Sequence, residues 1–172
     1  MKRIEVTELT ENVFNAIGKE WMLVGAEDKE RLNIMTASWG GLGWLWNKPV
    51  AFVFIRPERH TFGLIEQNKA FTLSFLGKDK QAREVYNLCG TTSGKDTDKV
   101  KACSLTTTKT QDEGTTLIEQ SRLTLVCKVL YSTPLAANDF IEKELVEQWY
   151  GAHGGYHKMY VAEITDAYIH EA

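Results

Sequence analysis

The sequence is poor in the residues that mark several large classes of protein. It contains only three cysteines and three prolines among 172 residues, and no Cys-x-x-Cys spacing occurs. An odd number of widely spaced cysteines is typical of free thiols in a reducing compartment and argues against a disulfide framework. No run of about eighteen apolar residues exists, and the N-terminus has no apolar signal segment, so we expect a cytoplasmic protein without a membrane span.

Positive charge is not in excess either. Twenty lysine and arginine residues against 23 acidic residues give a formal net charge of −3. No global basic field therefore favours nucleic acid or an anionic membrane as a partner. The shares of hydrophobic residues (43%) and charged residues (25%) suit one compact domain over residues 1–172, long enough to bury a core without disulfides or metal.

Motifs of common catalytic and nucleotide-binding folds are also missing. No Gly-x-Gly-x-x-Gly follows a strand, and no Gly-x-Ser-x-Gly is present. The loop Cys89–Lys99 has the spacing of neither a P-loop nor a calcium loop. His153 and His157 are four residues apart, but Gly154 and Gly155 disfavour the helix that would let them share a metal. We therefore expect no metal site.

The sequence does contain short apolar or alternating segments that predict a mainly β structure with helical insertions. Strands are predicted at 21–26, 33–38, 50–55, 70–76, 105–109 and 156–169, and 117–130 forms either two strands or one bent strand. Helices are predicted at 59–68, 80–88 and 140–150, and loops at 40–43 and 91–101. Many short strands interrupted by few helices favour a closed barrel.

Two nearby motifs carry the functional signal. Side chains alternate along the predicted strand 33–38, so Thr36 and Ser38 share a face that suits an oxygen-rich ligand. The segment Arg56–Thr61 follows an apolar strand and opens a predicted helix, where backbone N–H groups and the helix dipole favour an anion. Pairing of its arginines with the intervening glutamate in water is the alternative. Together the motifs predict a phosphate site.

This combination resembles the flavin reductase-like proteins of the FMN-binding split-barrel superfamily, including the flavoredoxin type. The resemblance runs from Trp21 to Ile164. It implies a six-stranded Greek-key split barrel that forms a homodimer with FMN at the subunit interface. The flavin carries the chemistry in such proteins, so no catalytic side chain is implied. The residues that the resemblance places around FMN are Asn33, Met35, Thr36, Ala37, Ser38, Trp39, Arg56, Arg59, His60, Thr61, Ser93 and Lys99.

The resemblance implies different roles within this set. Thr36, Ser38 and the segment Arg59–Thr61 match positions that hold the phosphate and ribityl oxygens of FMN. Arg56 either contacts the flavin or braces its own loop. The loop that ends at Lys99 matches a Ser-Gly-x-Asp-x-Asp-Lys loop close to the flavin ring, where a lysine near N1 and O2 would stabilise the anionic reduced flavin. A solvated loop is the alternative there.

Three tryptophans, Trp39, Trp44 and Trp46, surround the glycine-rich segment 40–43. A loop offers little means of burying them within one subunit, so they predict an interface with a second chain or a flat wall beside the flavin. Burial in the core is the alternative. The turn His153–His157 precedes the closing strand and is predicted to reach toward the cofactor or the partner subunit.

The function implied by the resemblance is an FMN-binding oxidoreductase with NAD(P)H as hydride donor. Two alternatives stay open at this point. One is a flavoredoxin-type carrier that accepts electrons from a redox protein partner. The other is a barrel that binds a different phosphorylated ligand without redox chemistry.

Overall fold

A computed structural model describes residues 1–28, 31–111, 114–151 and 155–170. Its strands are β1 (Lys2–Ile4), β2 (Met22–Glu27), β3 (Leu32–Ala37), β4 (Gly40–Leu45), β5 (Lys48–Ile55), β6 (Ala70–Phe75), β7 (Thr107–Lys109), β8 (Thr116–Ile118), β9 (Leu123–Pro134) and β10 (Lys158–Ile169). Its α-helices are α1 (Val13–Asn15), α2 (His60–Asn68), α3 (Lys80–Thr91), α4 (Lys99–Ala102) and α5 (Glu144–Tyr150). A π-helical turn at Ala16–Glu20 and 3₁₀ turns at Val6–Glu8 and Ala137–Asp139 complete the helical segments described.

The order of the strands requires the main sheet to close on itself. The sheet runs β3-β2-β6-β9-β10-β5-β4, with β1 added to β10. Its edge strands β3 and β4 are consecutive in the chain, and only Ser38 and Trp39 separate them. A flat sheet would hold these edges roughly 29 Å apart at the usual strand spacing, whereas the short link reaches at most about 11 Å. The sheet therefore curls into a barrel, and because no ladder joins β3 to β4 in the described residues, the barrel is split at this seam.

Alternation along the strands divides the apolar residues between two clusters. On β2, Met22 and Val24 face the barrel interior, whereas Leu23 faces the other way. The outer cluster is covered by α3, which buries Ala82, Val85, Tyr86 and Cys89 at helical spacing. The side chain of Asp79 accepts a hydrogen bond from the N–H of Ala82 and starts that helix. This packing brings the C-terminal end of α3 beside the seam.

The prediction of a mainly β split barrel with helical insertions is confirmed, but several details were wrong. The main sheet contains eight strands rather than six. Segment 117–130 belongs to two separate strands, β8 and β9, which settles the alternative left open. The helix expected at 140–150 begins only at Glu144. Segment 91–101 is not a loop throughout, because α3 extends to Thr91 and the side chain of Asp98 caps α4.

The segment 40–43 was predicted as a loop, and this was wrong, because it forms most of strand β4. The ring of Phe52 on the paired strand β5 lies against Gly41 and Gly43, 3.7 and 3.4 Å from where their Cβ atoms would be. Ladder hydrogen bonds and this close approach outweigh the low strand propensity of glycine. The hairpin turns at Trp46 and Asn47, whose φ values of 52° and 57° fit a type I′ turn. The tryptophans therefore lie on and beside a β-hairpin.

Candidate functional site

Two adjoining grooves lie at the seam of the barrel. The first, called here the seam groove, has a volume of about 210 Å³. It is lined by Met35, Thr36, Ala37, Ser38, Trp39, Phe54, Arg56, Arg59 and His157. The second, called the helix groove, has a volume of about 170 Å³ and shares Met35 and Arg59 with the first. Its other lining residues are Glu58, His60, Thr61, Thr91, Thr92, Ser93, Gly94 and Lys99.

Every residue that the sequence placed around FMN lines one of these grooves, with the exception of Asn33. Asn33 is buried beneath them, and its Nδ2 donates a hydrogen bond to Thr61 Oγ1 over 2.7 Å. A Cβ atom at Gly94 would lie 1.7 Å from Asn33 Oδ1, so only glycine fits at that position. Asn33 thus joins strand β3, the start of α2 and the loop after α3.

Arg59 is the N-cap residue of α2, and its guanidinium reaches the end of α3. Nη1 donates to the carbonyl oxygen of Gly90 over 2.8 Å, and Nη2 donates to that of Cys89 over 3.1 Å. The C-terminal carbonyls of a helix carry partial negative charge, which stabilises a cation there. Burial lowers the pKa of the Arg59 guanidinium from its usual value.

Lys99 is a buried cation beside Arg59, whereas the alternative for this segment was a solvated loop. Only 4% of it is exposed. Its Nζ donates to the carbonyl oxygens of Ile34, over 2.8 Å, and Cys89, over 3.0 Å. Burial lowers the pKa of Lys99, and the neighbouring guanidinium lowers it further.

Neither Arg59 nor Lys99 forms an ion pair with a carboxylate in the part of the chain that the structure describes. Two partly or fully desolvated cations that share one carbonyl acceptor are costly without a counter-charge. Helix α2 begins in the same groove, and Arg59 supplies no side-chain cap to its first turn. Free N–H groups at a helix start also favour an anion. The helix groove is therefore suited to a small anionic group such as a phosphate.

The hydroxyls of the seam groove are partly engaged by the protein. Thr36 Oγ1 donates to the carbonyl oxygen of Tyr86 over 2.6 Å and so ties β3 to α3. The Thr36 oxygen can still accept a hydrogen bond, because a hydroxyl has two lone pairs. Ser38 lies just beyond the end of β3 and lines the same groove. Both hydroxyls can serve a polar ligand that runs along this strand.

Aromatic rings form one wall of the seam groove. The ring centroid of Trp39 lies 4.9 Å from those of Trp149 and His157. Tyr150 Oη and His157 Nδ1 are 2.8 Å apart and share a hydrogen bond. Burial lowers the pKa of His157 to about 4, and the cationic Arg56 adds to this effect. The imidazole is therefore neutral at pH 7.

Arg56 braces the segment that carries these rings. Its Nη2 donates to the carbonyl oxygen of Trp149 over 2.9 Å, and its guanidinium lies 5.4 Å from the centre of the Tyr150 ring. It also lines the seam groove. The bracing role is thus present in the fold, and a ligand in the groove would meet the same side chain.

Sequence reasoning missed the roles of Trp149, Tyr150 and Phe54, and it treated His157 only as part of a turn. Strands β5 and β10 are antiparallel, with Lys158 opposite Ile55, so His157 emerges beside Arg56. Both residues flank apolar strands, which was the available signal, but the pairing of the two strands was not visible. His153 and Gly154 of the predicted turn lie outside the described residues.

Neither a metal centre nor a membrane-spanning helix is found in the described residues. No group of three or more His, Cys, Asp and Glu side chains comes together there. Within the same ranges, no helix combines the length and apolar character needed to cross a membrane.

Several solved structures share the fold of this chain. The FMN-binding domain of a flavin reductases-like enzyme from Shewanella baltica is 17% identical, with a TM-score of 0.67 over 98% of this chain and 76% of that chain. Flavoredoxin from Methanosarcina acetivorans is 22% identical, with a TM-score of 0.67 over 98% and 77% of the two chains. The NADH:FAD oxidoreductase SgcE6 of Streptomyces globisporus is 13% identical, with a TM-score of 0.63 over 88% and 75%.

No match to a curated protein was found. The sequence itself matches the model of the flavin reductase like domain over residues 14–172. This match takes in both grooves, the strands that carry them and nearly all of the barrel. With a split barrel, a groove suited to phosphate and a family match over almost its whole length, the chain belongs to the flavin reductase-like family.

Proposed function

We propose that this protein is an FMN-dependent oxidoreductase that takes a hydride from NAD(P)H, as flavin reductases do. The observation that carries the proposal is the pair of cations, Arg59 and Lys99, which face the start of α2 without a carboxylate partner in the described residues. The phosphate of FMN is a small anionic group of the kind that this groove lacks. The family membership of the chain points to the same ligand.

The size and arrangement of the two grooves fit such a cofactor. Their volumes of about 210 and 170 Å³ together reach the lower end of the range of roughly 300–1,000 Å³ usual for small-molecule sites. Arg59, Lys99 and the first turn of α2 would hold the phosphate. Thr36 and Ser38 would meet the ribityl chain and the edge of the ring.

This assignment moves Lys99 from the flavin ring to the phosphate. Lys99 lines the helix groove together with His60, Thr61 and Ser93, and it does not line the seam groove that contains Trp39. An ammonium at that place would neutralise phosphate charge rather than stabilise the reduced ring.

FMN, when bound, supplies the hydride-accepting chemistry, so the protein needs no general base of its own. The side chains of the seam groove have a different task. Trp39 and the neutral His157 provide a wall that excludes water from one side of the groove. Arg56 keeps that wall in place through its hydrogen bond to Trp149.

We also propose that the protein is a cytoplasmic homodimer with two equivalent FMN sites. Trp44 and Trp46, on the β4–β5 hairpin, are 62% and 56% exposed, and Tyr131 packs edge-on against Trp46 while 49% exposed. Trp39, at the rim of the seam groove, is 37% exposed. A second copy of the chain on these rings would cover an apolar surface and help to close the groove.

A second candidate is an electron carrier of the flavoredoxin type that receives electrons from a protein. The exposed edges of Trp39 and Trp149, 37% and 46% accessible, leave an aromatic surface open at the groove. One structural relative is a flavoredoxin from Methanosarcina acetivorans. Steady-state consumption of NADH or NADPH by the pure protein with FMN distinguishes the two candidates, because a carrier consumes neither.

The proposal is tested by the absorption spectrum of the purified protein and by calorimetric titration with FMN and FAD. We expect a bound chromophore with the spectrum of oxidised flavin, and tighter binding of FMN because its phosphate ends in the helix groove. Equal affinity for FAD would contradict the phosphate assignment. A colourless protein that binds neither flavin would contradict the proposed function.

A further inference from the structure

Two thiols lie in contact directly behind the helix groove. Cys89, in the last turn of α3, is fully buried, and Cys103, which follows α4, is partly exposed. Their Sγ atoms are 3.9 Å apart. The third cysteine, Cys127, is buried in the barrel core on β9. The fold has therefore brought two of the three thiols together, fourteen residues apart in sequence.

We propose that Cys89 and Cys103 are a redox pair that closes to an intramolecular disulfide on reaction with a hydroperoxide, and that this disulfide tightens anion binding in the helix groove. A disulfide has an S–S length of about 2.05 Å, so the sulfur atoms must approach by a little under 2 Å. Cys103 directly follows α4, a helix of only four residues that can shift more easily than α3.

The chemistry balances with hydrogen peroxide as the oxidant. The partly exposed Cys103 is the thiol that peroxide reaches, and its sulfur attacks one oxygen, breaking the O–O bond to give a sulfenic acid and water. The Cys89 sulfur then attacks the Cys103 sulfur, the S–O bond breaks, and the leaving hydroxide takes the Cys89 proton as a second water. Two thiols lose two electrons and two protons, and one peroxide becomes two waters.

The surroundings of the pair determine its reactivity. Burial raises the pKa of the Cys103 thiol, and the nearby Lys99 ammonium opposes that rise. Burial likewise raises the pKa of Cys89, to about 12. Since the thiolate is the nucleophile, the rate of oxidation should increase about tenfold per pH unit below the pKa of Cys103.

The pair is mechanically connected to both cations of the helix groove. The carbonyl oxygen of Cys89 accepts hydrogen bonds from Lys99 and Arg59, and the N–H of Cys103 donates to the carbonyl oxygen of Lys99 over 3.0 Å. A disulfide would join the two ends of the segment that contributes Ser93 and Gly94 to the groove. Restricting that segment before binding reduces the entropy lost when an anion binds.

The first test counts thiols and needs no flavin. After treatment with hydrogen peroxide, the denatured wild-type protein should show one thiol instead of three. Peptide mapping without reductant should join Cys89 to Cys103. The thermal midpoint should rise by several degrees and return on reduction, because the cross-link constrains the unfolded chain. Three remaining thiols, or a cross-link between two chains, would contradict the proposed intramolecular disulfide between Cys89 and Cys103.

Two variants serve as matched controls. Cys103→Ser should keep its two thiols and show no rise in thermal midpoint. Cys127→Ala should behave like the wild type and lose both of its thiols, because Cys127 lies in the core and not in the pair. Loss of thiols in Cys103→Ser at the wild-type rate would also overturn the proposal.

The second test rests on the proposed function, because it uses FMN as the probe. The oxidised wild-type protein should bind FMN about fivefold more tightly than the reduced protein, at the low end of typical coupling between sites. Equal FMN affinities of the oxidised and reduced proteins would contradict the coupling between the disulfide and anion binding. The thiol count tests the Cys89–Cys103 disulfide separately. If neither form binds FMN, the proposed function fails and the disulfide is judged by the thiol count and thermal midpoint alone.

Discussion

At the scale of single residues, the most consequential arrangement is the sharing of one acceptor by two cations. Lys99 and Arg59 both donate to the carbonyl oxygen of Cys89, and both face the helix groove. In a protein of this size a buried charge without a counter-ion is rare, since it is costly in free energy. This free-energy cost is explained if a bound anion supplies the counter-charge to Lys99 and Arg59.

We expect Lys99→Met to weaken FMN binding about ten- to a hundredfold, because a hydrogen bond to a charged group is worth about 1.5–3 kcal/mol. Lys101→Met is the matched control, since the Lys101 side chain is 87% exposed and lines neither groove. Fluorescence titration with FMN measures both variants. Arg59→Ala should weaken FMN binding by a similar factor. Unchanged FMN affinity in Lys99→Met and Arg59→Ala would refute the phosphate site.

A second residue-scale prediction concerns pH and His157. Its pKa in the folded protein is lowered to about 4 by burial and then by Arg56, against a usual value near 6.5. The unfolded chain therefore binds more protons between these values, so stability is complete above about pH 6.5 and is lost as the pH falls toward 4. Between pH 7 and pH 5 we expect His157→Gln to lose about 2 kcal/mol less of its free energy of unfolding than the wild type loses. Denaturant unfolding at both pH values measures this, and equal losses would exclude His157 as the titrating group.

At the scale of elements, the site depends on how β3, α2 and the loop after α3 meet at Asn33. Gly94→Ala would place a methyl group 1.7 Å from Asn33 Oδ1. We expect it to destabilise the protein by about 1–3 kcal/mol through overpacking and to weaken FMN binding. Gly63→Ala is the matched control, because nothing lies within 4 Å of its Cβ position in α2. That variant should be neutral or stabilised by up to about 1 kcal/mol, and equal effects of the two changes in denaturant unfolding would contradict the prediction.

At the scale of the whole molecule, the aromatic surface around the β4–β5 hairpin should hold two copies together. Burying one such ring fully contributes on the order of 2–3 kcal/mol. Trp44→Glu or Trp46→Glu should therefore convert a dimer into a monomer of 19.5 kDa and lower FMN affinity at the same time. Light scattering at micromolar concentration gives the mass. Lys80→Glu, on a side chain that is 93% exposed, is the control and should remain dimeric.

The wild-type mass is also decisive. A wild-type monomer with FMN bound would show that one subunit completes the site, and the interface role of these tryptophans would then be wrong. If the dimer persists in both tryptophan variants, a different surface holds it.

By itself the sequence determined the β-rich class, the family resemblance and the kinds of group in the site. Alternation along 33–38 and the helix start at Arg56–Thr61 are local properties, so residue spacing is enough to identify them. Of the twelve residues that the family resemblance placed around FMN, eleven line the grooves, and Asn33 supports them from below.

Only the tertiary structure decided which groups meet. The pairing of β5 with β10 places His157 beside Arg56, and the docking of α3 on β3 gives Lys99 and Arg59 a shared carbonyl. The glycines of 40–43 became a strand because β5 supplied ladder partners and the Phe52 ring. These contacts join residues far apart in the chain, and their free energy comes from burial and pairing in the closed barrel, to which no local pattern is sensitive.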